Sequence, residues 1–406
     1  MPHSCAPDAT RHPQADNASD DALLGGITIL DLSQGVAGPY CAMLLQQQGA
    51  RVIKIEPPAG DWSRQMGRVQ SGHTSISAAC NAGKESVVLD TRTSAGRAAL
   101  RQLAIQADVV LQNFRPGVAA RMGANAQDLA QHNPRQIYIS ISGYGSHGPL
   151  AQRPAVDTTM QAYSGLMHTN ADPASGQPRR IGLIVADLAT GLYAAQCATA
   201  ALFKAARSGR GRHIELSMLQ VCAALQSYVI MDDAMFTGQP ANNIFNAPGG
   251  LFSAQCGGML HVATLDDAMF KRLAQALGFD DWLHDSTLHS SGGRIPRFTE
   301  LSQRLGRALA QQPLAHWEQH LRAHDILFAP VRQPRDLPGS EQALALDLFG
   351  RTAPDGPWPN LPLARAPGQS LEASSNSARW QVPPLGAHTQ AVLREFGIAP
   401  CEETTA

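Results

Sequence analysis

The feature that most constrains this chain is an alternation of short β-rich runs and helical patterns across residues 27–145. ITILDL (27–32) is a brief apolar run that ends in the polar turn SQGVAG (33–38). Pro39 follows where a first helical turn tolerates it, because its missing N–H has no helical partner there anyway. Residues 40–48 carry Met43, Leu44 and Leu45 at helical positions, Gly49 supplies a stop, and RVIKIE (51–56) is a second β-rich run. About thirty residues is what a parallel strand–helix–strand crossover needs. The pattern recurs as SVVLD (86–90), a helix over 94–106, ADVVLQNF (107–114), a helix over 119–132 and IYISISGYG (137–145). It predicts an α/β domain built on a largely parallel sheet. Ligands of such sheets bind at the carboxyl ends of strands, so the loops beginning at Ser33, Asn113 and Ser142 are the places to look for a site.

Further along, Leu192, Ala195, Thr199 and Leu202 recur at helical spacing, which predicts a helix over 188–207 that ends at Gly209 and Gly211. HIELSML (213–219) alternates like a strand. Beyond it the texture changes. Residues 220–340 hold helical patterns at 269–277 and 298–311 and short β-like runs such as LHVATL, as a second, smaller domain would. The stretch 350–384 is rich in Pro, Ser, Gly and Ala and reads as an extended connection, and a last helix is expected over 388–396, stopped by Gly397. At 406 residues the chain is too long for one ordinary domain.

Composition excludes several classes. A hydrophobic content of 44% with 16% charged residues is globular rather than wholly disordered. Thirty-two basic residues against 33 acidic ones leave a net charge of −1, so no overall field draws nucleic acid, and an anionic ligand must be held by local groups. No apolar run is long enough for a membrane helix. The opening MPHSCAPDATRHPQADNASDD lacks an apolar signal core and reads as a loose tail. Seven cysteines (Cys5, Cys41, Cys80, Cys197, Cys222, Cys256, Cys401) are scattered, odd in number and without CxxC spacing. That argues against a disulfide framework or a metal site, and makes a reducing cytoplasm the expected compartment.

Four local features can carry chemistry. Gly35-Val36-Ala37-Gly38 joins a strand to a helix and is not GxGxxG, so the dinucleotide fingerprint is absent. Free N–H groups at that helix start suit a phosphate or a carbonyl oxygen, though a plain turn would look the same. QNFRPG (112–117) with Arg121 puts two arginines close after a strand end, where they match phosphate oxygens in pairs or simply face water. SGYGSHGP (142–149) permits close backbone approach to a ligand, or is merely a loop. Asp187, in IGLIVADLATGLYAA, is either a carboxylate favourable to a helix start or a carboxylate nucleophile.

Taken together and in order, these segments resemble a known family. GGITILDLSQGVAGPYCAMLLQQQGARVIKIEPPAGDWSR, NAGKESVVLD, ADVVLQNFRPG, IYISISGYGSHGP, DTTMQAYSGL, ADLATGLYAAQCATAALFKAARSGRGRHIELSM and, at the end, PPLGAHTQAVLREFG are similar to the class III (CaiB/BaiF, formyl-CoA transferase-like) coenzyme A transferases. The resemblance is strong over 25–220, loose in the middle and clear in the last helix. It implies a Rossmann-like large domain built from N- and C-terminal parts, a smaller α+β domain, and two ring-like chains interlocked as a homodimer. The expected division is a tail at 1–24, the large domain at 25–220, the small domain with its linker at 221–340, and a return linker with the rest of the large domain at 341–406.

The resemblance also implies roles. Asp187 falls on the family's nucleophile. Coenzyme A contacts fall on Val36, Ala37, the stretch around Lys84, Asn113, Phe114, Arg115, Arg121 and Met122, with Gly143 and Tyr144 beside the thioester. The implied reaction moves coenzyme A from an acyl-CoA donor to a carboxylic acid through mixed anhydrides and an aspartyl-CoA thioester. It needs no tightly bound cofactor and no metal, with acyl-CoA as substrate and neither nucleic acid nor membrane as partner. Two departures weaken a formate or oxalate assignment: Gln34-Gly35-Val36 stands where that enzyme has His-Val-Gln, and its glycine lid is reduced to Pro248-Gly249-Gly250.

The related α-methylacyl-CoA racemases use a His in Gly-His-Asp, and here Ala155-Val156-Asp157 leaves no proton carrier at that position. A CoA-binding protein without turnover has no need of Asp187. Arg179-Arg180, with His168 and His147 in neighbouring loops, offers a cation for the distal carboxylate of a C4 or C5 dicarboxylic acid; the plain alternative is that these side chains face solvent or touch phosphate.

Overall fold

The computed structural model describes residues 22–172, 175–238, 246–354, 358–368 and 380–399. Nearly all of the expected tail at 1–24, and part of the 350–384 connection, lie outside the described residues.

Six parallel strands form one sheet: β1 (Thr28–Asp31), β2 (Arg51–Glu56), β3 (Glu85–Val88), β4 (Val109–Gln112), β5 (Ile137–Ser142) and β6 (Arg212–Ser217), in the order β3-β2-β1-β4-β5-β6. A parallel sheet is covered on both faces, which is why its strands read as near-continuous apolar runs. Alternate residues feed two cores. Ile29, Val52, Val109 and Ile137 face α1 (Ala37–Gln47) and α8 (Val185–Ser208). Leu30, Ile53, Val87 and Val110 face α3 (Ser94–Gln106) and the last helix, Thr389–Glu395. That last helix is tied to β3, since Thr389 Oγ1 accepts the Val88 N–H at 3.0 Å. The described residues within 1–230 and 344–406 thus make one compact unit. The strand order reverses direction between β1 and β4, and a ligand crevice forms where such a reversal parts the loops.

Other helices of this unit include α2 (Ser75–Asn81), α4 (Val118–Arg121), α5 (Ala126–His132), α6 (Asp157–Tyr163), α7 (Leu166–Thr169) and α9 (Met218–Leu225). The single helix expected over 119–132 is two helices. Gly123 takes φ 99°, a left-handed conformation that closes α4, and Asn125 opens α5 by accepting the N–H groups of Gln127 and Asp128. The strand expected to run to residue 219 stops at Ser217, whose hydroxyl and Gln220 cap α9 reciprocally. In the 350–384 stretch, Phe349–Arg351 and Pro362–Ala364 pair as an antiparallel ribbon.

Helix α8 carries buried Ala186, Ala194, Ala195, Ala198, Ala201 and Ala205, and these small residues let it lie close against α1. A Cβ on Gly191 would stand 2.6 Å from the Ala37 carbonyl oxygen, so only glycine fits there.

Residues 231–343 form the second unit. Its three-stranded antiparallel sheet, Gly250–Ser253, Met259–Ala263 and Leu327–Pro330, packs on helices whose Phe270, Leu273, Leu301, Leu305 and Leu309 are buried. Buried Arg294 ties this unit together by donating to the carbonyls of Ala247 and Leu288 and to Asp267.

Candidate active site

The polar turn after β1 and the loop after β4 meet at the crossover. Asn113 joins them with its side-chain amide: Oδ1 accepts the Gln34 N–H at 2.8 Å and Nδ2 donates to the Gln34 carbonyl at 2.6 Å. Gly35 takes φ 80°, and a Cβ there would lie 2.1 Å from the Trp62 ring, so the indole covers the turn directly. Gly38 is equally constrained, since its Cβ would meet Ser33 at 2.2 Å. Helix α1 starts at Ala37, and the N–H groups of Val36, Ala37 and Gly38 have no hydrogen-bond partner among the described residues. Three adjacent free donors at a helix start are a ready receptor for negative charge.

Asp187 sits in the first turn of α8. Its carboxylate is partly buried and has no hydrogen-bond or ion-pair partner among the described residues. Burial, and then the negative charge of Asp157, push its pKa up to about 7. Asp157, buried at the start of α6, accepts the Ala186 N–H at 2.9 Å and Gln161 Nε2 at 2.7 Å. Gln161 in turn accepts the Ile181 N–H and donates to the Leu183 carbonyl, so the approach to α8 is held from both sides. Ile184 and Leu188, flanking Asp187, line an apolar cavity of about 240 Å³ with Tyr40, Met43, Ile76 and Cys80.

The other expected contacts fall into three groups. Arg115 and Arg121 are exposed, with no ion-pair partner among the described residues, while Met122 and Phe114 pack on the second core. Phe114 also borders a groove of about 360 Å³ with Gln112, Tyr138 and His213, where its N–H is held by Gln112 Oε1 at 2.7 Å. Gly143 packs against Ala155, and Tyr144 stands edge-on to Tyr163 at 5.2 Å, in the same cluster as Ala186. Lys84 departs from expectation. Its ammonium is buried and donates to Asp31, the Pro39 carbonyl and Asn81 Oδ1, so it serves the interior and presents nothing to a ligand.

Of the acceptor-side candidates, Arg179 is paired with Asp172 at 3.0 Å, whereas Arg180 is exposed and unpaired among the described residues; His168 and His147 are exposed as well. Val156, 53% exposed, precedes Asp157 at the start of α6. Pro248-Gly249-Gly250 leads into the first strand of the second unit. Sequence reasoning missed Gln161, Asp61 and Trp62. Asp61 is of a residue type that caps helix starts, but its partner Gly35 lies 26 residues away and no local pattern connects them. Among the described residues no helix is long and apolar enough to cross a membrane, and no cluster of side chains suits a metal ion.

Comparison with known proteins gives this geometry its setting. The family model described as CoA-transferase family III matches residues 24–389. The acetyl-CoA:oxalate CoA-transferase of Acetobacter aceti is 36% identical over 330 residues, covering 80% of this chain and 84% of that protein. The succinate–glutarate CoA-transferase of Agrobacterium fabrum is 35% identical over 388 residues, covering 92% and 95%. The crystal structure of a CAIB/BAIF family protein from Brucella suis superposes with a TM-score of 0.81 at 28% identity, covering 91% of this chain and 98% of that one. A model match across nearly the whole chain, with relatives of this identity and coverage, leaves one assignment: the chain belongs to CoA-transferase family III and is an enzyme of the CoA-transferase class.

Proposed function

We propose that this enzyme transfers coenzyme A from an acyl-CoA to a free carboxylic acid through covalent intermediates on Asp187. The observation that carries the reading is a partly buried carboxylate with no partner among the described residues at the start of α8. An Asp oxygen attacks the thioester carbonyl, the C–S bond breaks, and a mixed anhydride and CoA thiolate result. The thiolate attacks the Asp187 carbonyl, expelling the donor acid as carboxylate and leaving an aspartyl-CoA thioester. The acceptor carboxylate attacks that thioester, forming a second anhydride and releasing the thiolate again. The thiolate then takes the acceptor's acyl group and frees Asp187. No proton is gained or lost. Each step exchanges one activated acyl group for another of similar energy, which is what covalent catalysis exploits.

The other residues fit roles around that cycle. The free N–H groups of Val36, Ala37 and Gly38 receive the oxyanion of each tetrahedral intermediate. Arg115 and Arg121 bind the phosphates of coenzyme A, with Asn113, Phe114 and Met122 forming their platform and Gly143 and Tyr144 lying beside the thioester. The apolar side chains around Asp187 exclude the water that would hydrolyse an anhydride.

For the acceptor we favour a short dicarboxylate, held at its far end by the unpaired Arg180. Relatives named for oxalate, succinate and glutarate support this. Residues 25–220 and 341–406 form the CoA-binding domain in this reading, and 221–340 the small domain. Leu192, Phe203, Tyr228 and Ile230, all more than half exposed, are covered in an interlocked homodimer.

The test is mass-spectrometric detection of new acyl-CoA when the protein meets succinyl-CoA or acetyl-CoA and a panel of mono- and dicarboxylic acids. A product that disappears in Asp187→Ala supports the reading. Exchange of the donor's α-proton with heavy water, without any new thioester, would point to racemase chemistry instead.

A further inference from the structure

Beneath the turn at 33–38 lies a row of four buried charges that the transfer cycle does not itself use. Lys84, Asp31, Lys54 and Asp61 are at most 3% exposed and alternate in sign. Lys84 Nζ is 2.8 Å from Asp31 Oδ2; Lys54 Nζ is 3.8 Å from the same oxygen and 2.9 Å from Asp61 Oδ2. Each of the four also grips backbone of the turn or of the helix it opens. Asp31 accepts the Ser33 N–H at 3.0 Å and the Ser33 hydroxyl. Lys54 donates to the Ser33 carbonyl. Asp61 takes the Gly35 N–H with both oxygens, at 2.9 and 3.2 Å, and Lys84 donates to the Pro39 carbonyl at 2.9 Å. With Gln34 already held by Asn113, the donors left over are those of Val36, Ala37 and Gly38.

Burying four ions is a costly way to stabilise a fold. Each loses several kcal/mol of hydration, and well-packed apolar side chains often serve as well or better. What an ionic row supplies is direction. Charge-assisted hydrogen bonds fix the backbone groups they touch, and the N–H groups beside them then cannot turn toward partners of their own. Such donors need no reorganisation when charge develops on a bound carbonyl. The Trp62 ring, placed over Gly35 by its neighbour Asp61, closes the turn from outside.

We propose that Asp61 and Lys54, backed by Asp31 and Lys84, are positioning residues that hold the free N–H groups of Val36, Ala37 and Gly38 aimed at the reacting carbonyl. This rests on the oxyanion role given to those groups above.

The test compares Asp61→Asn and the paired variant Lys54→Met/Asp61→Asn, which removes both charges and leaves no lone buried ion. Both are assayed for kcat and KM of acyl-CoA, with melting temperature as a control. The expected result is a kcat about 30–100-fold lower with KM of acyl-CoA unchanged within about threefold, somewhat less than the two to three orders of magnitude that outright loss of one oxyanion donor typically costs, because here the donors are loosened and not removed. A paired variant that melts normally and keeps kcat within about twofold would overturn the proposal, as would kcat and acyl-CoA affinity falling in step. If the paired variant does not fold, Asp61→Glu decides. It keeps the charge but moves the carboxylate by one methylene, and an unchanged kcat there contradicts the proposal. Failure of the underlying reading is separate: it shows as wild-type protein that forms no new acyl-CoA, or as Asp187→Ala that forms it equally well.

Discussion

The turn that opens α1 and the start of α8, on two helices that touch where Gly191 faces the Ala37 carbonyl, are built in opposite ways. At the turn after β1, charges of both signs are paired and the backbone of Ser33, Gln34 and Gly35 is held, by Asp31, Lys54, Asp61 and Asn113, with Lys84 on the Pro39 carbonyl, which leaves the N–H groups of Val36, Ala37 and Gly38 free among the described residues. At the start of α8, Asp187 has no partner among the described residues, and the charge that reaches it is the like charge of Asp157. The first arrangement fixes donors in place; the second leaves a carboxylate whose ionised form is raised in energy. In the proposed cycle, acylation removes the negative charge from Asp187, so the anhydride and thioester states would escape the repulsion that the free carboxylate suffers. On the proposed reading, a stiff receptor for charge and a destabilised carboxylate divide the labour in a way that suits acyl exchange.

The largest expected effect comes from removing the reactive member. Asp187→Asn should lower CoA transfer by about 10⁴-fold or more, as loss of a nucleophile typically does. The same variant should be more stable than wild type at pH 8. The folded pKa of Asp187, about 7, stands above its ordinary 3.8. This group's favourable contribution is therefore complete below pH 3.8 and lost as pH rises through 7. The Asn variant removes a penalty on the order of 2–4 kcal/mol above pH 7, and should show no gain near pH 4. Thermal melts at the two pH values test the sign; a variant less stable at pH 8 contradicts it.

Next is the fixed member. Gly38→Ala forces a methyl into Ser33, whose hydroxyl is held by Asp31. A stability loss of about 1–3 kcal/mol is expected, with transfer reduced at least about tenfold. An alanine variant with wild-type kinetics would show that the turn's geometry does not matter.

Arg121→Met should raise KM of acyl-CoA about tenfold and leave kcat nearly unchanged, as loss of one charge-assisted contact made equally in ground and transition states. A change confined to kcat would remove it from phosphate binding. Arg180→Met should weaken dicarboxylate acceptors selectively, and an equal loss for monocarboxylates would discard that role.

The smallest effect is the most diagnostic of the contrast. Asp157→Asn should move the acidic limb of the kcat profile to lower pH, because Asp187 then ionises more readily. The move should cover less than half the distance back to 3.8, since burial is the larger cause of the shift. Titratable neighbours that also sense Asp187 are Cys80 on α2 and Cys222 on α9, whose thiols are pushed upward chiefly by burial. Tyr40 on α1, likewise raised by burial, lies against the same helix at Gly191. A lower kcat with an unmoved limb would make Asp157 a purely structural cap.

How much of this is legible in the sequence depends on range. The strands, the turn at 33–38 and the helix behind Asp187 are written in local periodicity and in Gly and Pro placement, and the structure has them within a few residues. The break at Gly123 escapes a sequence reading because an apolar period runs across it, and a left-handed glycine overrides that period only once Asn125 caps the next helix. Lys84 is expected at the ligand because the resemblance places a coenzyme A contact on the stretch around it, and nothing local in the sequence marks its side chain as buried. Its burial depends on Asp31, 53 residues earlier. Asp61 and Gly35, or Asp157 and Ala186, are pairs of the same kind, invisible until the sheet brings them together.

The most direct measurement is peptide mapping by mass spectrometry after brief exposure to acyl-CoA and rapid quenching in acid. The account predicts a coenzyme A adduct on the peptide that contains Asp187, released by neutral hydroxylamine and absent in Asp187→Asn. An unmodified Asp187 peptide in protein that is turning over, or an adduct on another residue, would contradict it.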